Sequence, residues 1–89
     1  MNIVFDIETD GLLPGLTKIH VMSWMDLDTG VIESTSDLST MRHIIGNAST
    51  IIGHNIISFD LPVLKFFEIH YSKDVKIVDT LPLSWYLFP

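Results

Sequence analysis

The chain has 89 residues, enough for one small domain or part of one and too few for two. Apolar residues make up 47% and charged residues 18%, which excludes a disordered chain, and a formal charge of −6 excludes one that grips nucleic acid by bulk positive charge. Cysteine is absent, which removes disulfides and thiol chemistry, and no apolar run is long enough to span a bilayer or, with Asp6 in the way, to form a signal peptide, so a cytoplasmic protein without a membrane segment is expected.

Asn2 to Glu8, rich in Ile, Val and Phe and closed by Asp10-Gly11, reads as a strand. Ile19 to Met25 and Val31 to Ser34 read as two more, joined by the turn residues Asp28-Thr29-Gly30, which predict an antiparallel hairpin. Leu38, Met41, Ile44, Ile45 and Ala48 then recur at helical spacing, with Ser36 available as N-cap and Gly46-Asn47 as a stop. Thr50 to His54 suits a buried strand, and Leu61, Leu64, Phe67 and Ile69 mark a second helix with Pro62 in its first turn. Lys76 to Val78 is a last short strand, after which Asp79 or Thr80 can cap a third helix with Pro82 in its first turn. The order βββαβαβα predicts an α/β domain with a mixed sheet, antiparallel early and parallel later, which is the order of the ribonuclease H-like architecture.

The chemistry-bearing residues are acids. Asp6 and Glu8 lie two apart on the first strand, so both carboxylates face one side while Ile3, Phe5 and Ile7 face the other. Adjacent carboxylates repel unless a cation intervenes, and an oxygen-only donor set suits Mg²⁺ or Mn²⁺; the plainer reading is two solvated acids at a strand end. Asp60 opens the second helix, where a parallel strand leaves the carboxyl edge of the sheet. If Thr50 to His54 lies beside Asn2 to Glu8, Asp60 reaches the same pocket and three carboxylates could hold a metal pair; helix capping is the alternative for Asp60.

Two stretches resemble a known family. Phe5-Asp6-Ile7-Glu8-Thr9 is similar to the first exonuclease motif of the DEDD superfamily, and Asn55 followed by Phe59-Asp60 is similar to the second. His54-Asn55 and Asp79-Thr80-Leu81 are similar to sequences in the proofreading domains of family A DNA polymerases from T7-like phages, and the likeness runs through the whole chain in order and spacing. The resemblance implies that residues 1–89 are the N-terminal part of a 3′–5′ exonuclease domain, truncated before its final helices. It implies that two Mg²⁺ or Mn²⁺ ions are held by Asp6, Glu8 and Asp60, three of four carboxylates, for hydrolysis of the 3′-terminal nucleotide of single-stranded DNA. It further implies that Thr9 and Leu12 contact that nucleotide and that Asn55 and Phe59 lie on the substrate side. Thr9, Leu12 and Asn55 have plainer readings as turn or core residues.

The implied partners are a DNA 3′ end and a polymerase domain, or a second polypeptide that completes the exonuclease fold; for a phage gene the implied location is the host cytoplasm. The family's third motif, a Tyr or His with an Asp about a turn later, is absent: His70, Tyr71 and Asp74 are close together but precede the last strand, the wrong place in the topology. The alternative is therefore a catalytically silent fragment that binds metal, DNA or protein. An endonuclease on the same fold fits the Asn55 to Asp60 spacing less well. His20 and His43 read as packed or surface histidines, and Trp24, Trp85, Tyr86 and Phe88 as core or as an apolar face.

Overall fold

The computed structural model describes residues 1–11, 13 and 15–81. Leu12 and the body of the expected third helix, with Pro82, Trp85, Tyr86 and Phe88, lie outside the described residues. Among the described residues five strands and two helices follow in the order β1 (Asn2–Thr9), β2 (Ile19–Asp26), β3 (Ile32–Thr35), α1 (Leu38–Gly46), β4 (Thr50–Gly53), α2 (Leu61–Phe66) and β5 (Lys76–Asp79), with a five-residue π-helical turn, Ile56–Asp60, leading into α2. The strands form one sheet in the order β3-β2-β1-β4-β5. The β1/β2 and β2/β3 pairs are antiparallel, and the β1/β4 and β4/β5 pairs are parallel. This is the mixed sheet expected from the element order, and it is compatible with a ribonuclease H-like α/β fold.

Alternation along β1 sorts its side chains as the sequence predicts. Ile3, Phe5 and Ile7 are buried while Asp6 and Glu8 are exposed. In register with them, Trp24 lies opposite Phe5 and Met22 opposite Ile7, so the buried face continues across the hairpin. Met41 and Ile45 of α1, Ile51 of β4, and Val63 and Leu64 of α2 complete one apolar cluster with these residues. The two helices are short and carry little stability alone; burial of these side chains, at about 25 cal/mol per Å² of apolar surface, holds them to the sheet.

The N-cap of α1 is Asp37 and not the expected Ser36. Asp37 has extended dihedrals and accepts a hydrogen bond from the Thr40 backbone N–H at 2.9 Å, and from the Ser39 and Thr40 hydroxyls. A cap oxygen must reach an amide two or three residues on, and with Leu38 as the first helical residue only Asp37 has that reach.

The second helix is shorter than its apolar spacing suggests, and Phe67 and Ile69 fall beyond its end. Glu68 turns left-handed at φ 57°, its N–H bonds to the Lys65 carbonyl at 3.0 Å, and the Ile69 N–H reaches back to the Leu64 carbonyl at 2.8 Å. That is a Schellman stop, which returns Ile69 to the core where helical continuation would have carried it away. Arg42 from α1 donates to the Phe67 carbonyl at 3.0 Å and thereby satisfies part of the open helix end.

At Gly53, the last residue of β4, a Cβ would overlap Ile56 Cγ2 and stand 3.0 Å from the Phe5 carbonyl oxygen. Gly53→Ala is therefore expected to destabilise the chain by about 1–3 kcal/mol, because both neighbours are fixed by the core. A urea titration measures it, and an unchanged midpoint would show that Ile56 and the Phe5 carbonyl do not close in on the end of β4.

Candidate active site: an acidic edge of the sheet

Three features of the backbone gather the acids. β4 pairs with β1 only from Asn2 to Val4, so beyond Val4 the edge of β1 that carries Phe5 and Ile7 has no strand partner. The chain leaving β4 fills this opening. Asn55 is left-handed at φ 59° and ψ 31°, a conformation that Asn tolerates better than most residues, and it turns the chain into the π-helical turn. The Leu61 N–H then bonds to the Ile56 carbonyl five residues back, which inserts one residue into the helical path.

Asp60 ends this turn with its side chain buried, only 4% exposed. Its dihedrals are helical and it makes no side-chain cap, so the capping alternative is set aside. Burial, then the charge of Asp6, raises its pKa from 3.8 to about 6, against the opposing pull of the Ile7 backbone N–H; Asp79 adds a smaller push upward. The Oδ2 atom of Asp60 has no hydrogen-bond partner among the described residues. A buried carboxylate oxygen without a donor is costly unless a proton or a cation meets it.

Asp60 thus lies within reach of the charge of Asp6. Glu8 lies on the same exposed face of β1 as Asp6. Among the described residues, however, no three His, Cys, Asp or Glu side chains converge closely enough to hold a metal ion. Thr9 follows a register break after Glu8, and its hydroxyl donates to the Gly11 carbonyl at 2.6 Å within its own loop. Asn55 and Phe59 are both half-buried: Asn55 acts through its backbone angle, and Phe59 packs against the core cluster.

Two further acids matter more than the sequence suggests. Asp10 accepts bonds from the backbone N–H groups of Thr17 at 2.8 Å and Lys18 at 3.1 Å and from the Thr17 hydroxyl, closing the long β1–β2 connection. The Thr17 hydroxyl and these amides hold its carboxyl low, at about 2. Asp79 accepts from the Leu81 N–H at 2.9 Å, the capping role its position predicts, and also from the Asn55 N–H at 2.9 Å and the Ile57 N–H at 3.0 Å. The cap at Asp79 was legible as a helix start; its reach to β4's exit depends on β4 and β5 being neighbours.

A surface cavity lined by Ile57, Leu61, Lys65, Ile69, His70 and Tyr71 lies along α2 and contains no carboxylate, so it is separate from the acidic edge.

Fold and site together define a small α/β domain with an acidic patch where parallel strands β1 and β4 end. The chain is similar to a DNA polymerase III of the PolC type from Mycoplasma pneumoniae, with 34% identity over 89 residues, 96% of this chain. It spans about 6% of the length of that polymerase. No protein-family profile matches the chain. That relative is not a family A polymerase of the T7-like phage kind. No helix among the described residues is long and apolar enough to cross a membrane.

Proposed function

We propose that this domain is part of a 3′–5′ exonuclease of the DEDD type that serves a DNA polymerase, with single-stranded DNA 3′ ends as substrate. The observation that carries this reading is the buried, unpartnered carboxylate oxygen of Asp60 held against Asp6 at the carboxyl edge of the sheet. The donor chemistry fits a divalent cation: hard oxygens, no sulfur, and one acid whose charge is costly where it stands.

Asp6, Glu8 and Asp60 are the residues that would hold Mg²⁺ or Mn²⁺. When bound, such ions supply Lewis acidity and positive charge at the scissile phosphodiester. The chain itself contributes positioning. The π-helical turn carries Asp60 to the open edge of β1, and the extended β1 backbone holds Asp6 and Glu8 on one face. Thr9, at the end of β1, and Leu12 are proposed to meet the terminal nucleotide, and Asn55 and Phe59 to support the substrate side of the turn. The similarity to a DNA polymerase III supports the setting. Placement within the T7-like family A group rests on the motif resemblance alone.

The convergence of only two acids among the described residues favours a second reading, a catalytically silent module that binds metal or a partner without hydrolysis. Calorimetry with Mn²⁺ on wild type and Asp6→Ala, followed by a 5′-labelled single strand with Mg²⁺, separates the two. The expected result is cation binding weakened at least about tenfold in Asp6→Ala. The chain alone should show little hydrolysis, since a missing positioning or general-base group costs about 10² to 10⁴. Adding a downstream polypeptide with the missing Asp should restore stepwise 3′ loss, abolished again by Asp60→Ala. Binding without any restored cleavage favours the silent module, internal cuts point to an endonuclease, and equal binding by wild type and Asp6→Ala removes Asp6 from the site.

A further inference from the structure

The turn that carries Asp60 lacks a cap of its own. Asn55, at its N-terminal side, makes no side-chain cap bond, and Asp60, at the start of α2, makes none either. The first amides of a helical segment need an acceptor, and here they find one 22 to 24 residues away: the Asp79 carboxylate takes the Asn55 N–H on Oδ1 and the Ile57 N–H on Oδ2. Asp79 Oδ1 also accepts from Leu81, so one side chain caps the β4 exit and the helical turn opening at Thr80 together. A second link runs alongside. His54 Nδ1 lies 3.0 Å from the Thr80 hydroxyl, and that hydroxyl donates to the Gly53 carbonyl at 3.4 Å. Burial pushes the Asp79 pKa up, but the Ile57, Leu81 and Asn55 N–H groups outweigh it and keep the carboxyl below the usual range.

From this arrangement we infer that Asp79 is a positioning residue for the cation site: its carboxylate, fixed at the end of β5, clamps the amide of left-handed Asn55 and the Ile57 amide of the π-helical turn and so sets where Asp60 stands. Asp79 touches neither substrate nor cation in this role. Two bonds on two different oxygens define both the distance and the orientation of the turn relative to the sheet, which a single cap bond does not. The inference rests on the cation site proposed above, and it assigns that site's geometry to a residue outside the carboxylate set.

The test compares Asp79→Ala and Asp79→Asn with wild type in the 89-residue chain, read by amide hydrogen exchange and by Mn²⁺ calorimetry. Asp79→Ala removes every clamp bond. Asp79→Asn is equally uncharged but keeps one acceptor oxygen for Asn55 and Leu81. Exchange at Asn55 and Ile57 should accelerate on the order of tenfold or more in Asp79→Ala while Phe5 and Met22 amides stay protected, as expected for a local opening. Mn²⁺ affinity should fall about 10- to 100-fold in Asp79→Ala, the usual cost of losing a residue that orients a metal ligand, and recover in part in Asp79→Asn. Unchanged affinity in a folded Asp79→Ala overturns the inference. Equal loss in both variants does so too, because charge and not position would then explain it. If Asp79→Ala does not fold, Asp79→Asn decides alone: Ile57 exchange unchanged from wild type overturns the clamp. If wild type binds no Mn²⁺, the cation reading fails, and the exchange arm still tests the clamp.

Discussion

Asp60→Asn is expected to raise the melting temperature of the cation-free chain near neutral pH and to leave it nearly unchanged at about pH 4. The folded pKa of Asp60 is about 6, above the ordinary 3.8, so the native state holds this proton more tightly than the unfolded chain. Below about pH 4 both states are protonated and burial of the side chain carries no charge penalty. As pH rises from about 4 to 6 the unfolded chain ionises first, and stability falls until Asp60 itself ionises; above about pH 6 the full penalty is present. Roughly two units correspond to at most about 3 kcal/mol, and solvent at the open edge of the sheet screens this toward about 1–2 kcal/mol. For a domain of this size that is a gain of roughly 5–15 °C for Asn at neutral pH.

The variant also replaces the unpartnered Oδ2 with a neutral amide beside Asp6. Thermal melts in chelator at about pH 4 and pH 7.5 measure the difference. Equal or lower stability of Asp60→Asn at pH 7.5 would mean that Asp60 is not buried beside Asp6. Adding Mn²⁺ should invert the ranking, because a ligand that binds only the native state stabilises it by RT ln(1 + [L]/Kd), and only wild type keeps the acid.

The second large effect separates the two faces of β1. Phe5→Asp should unfold the chain or cost more than about 4 kcal/mol, since it removes a side chain that is 3% exposed and places a charge inside the core cluster. Asp6→Asn, one residue on, should be neutral or stabilising by up to about 1 kcal/mol, because it relieves the charge that helps raise Asp60. Circular dichroism melts rank the two. The opposite ranking would place β1 one residue out of register, since a single-residue slip exchanges its faces.

The two faces of β1 were legible because they sit inside one strand: the two-residue period of Phe5-Asp6-Ile7-Glu8 determines which side chains are buried before any tertiary contact is known. The same holds for the β2–β3 turn at Asp28-Thr29-Gly30, where Gly30 adopts φ 75°, and for the apolar spacing of α1. Helix ends were less legible. Asp37 and Ser36 are equivalent cap residues by type, and only the helix start at Leu38 distinguishes them. Likewise Phe67 and Ile69 keep a helical spacing that the left-handed Glu68 breaks.

The site's second half belongs to tertiary structure. Asn55 to Asp60 reads as a loop and a helix start, and no local pattern announces a π-helical turn, because that turn is held from outside by Asp79 and by the early end of β4 pairing. The elevated pKa of Asp60 follows from the same packing, since desolvation and the charge of Asp6 act through space over 54 residues of sequence separation. Sequence by itself therefore determined the element order, the two faces of β1 and the acids available, all set by local periodicity and residue chemistry. The tertiary structure alone decided that β4 lies beside β1, that Asp60 is buried within reach of the charge of Asp6, and that Asp79 bonds to the Asn55 and Ile57 amides, because each depends on contacts between strands that only the folded sheet makes neighbours.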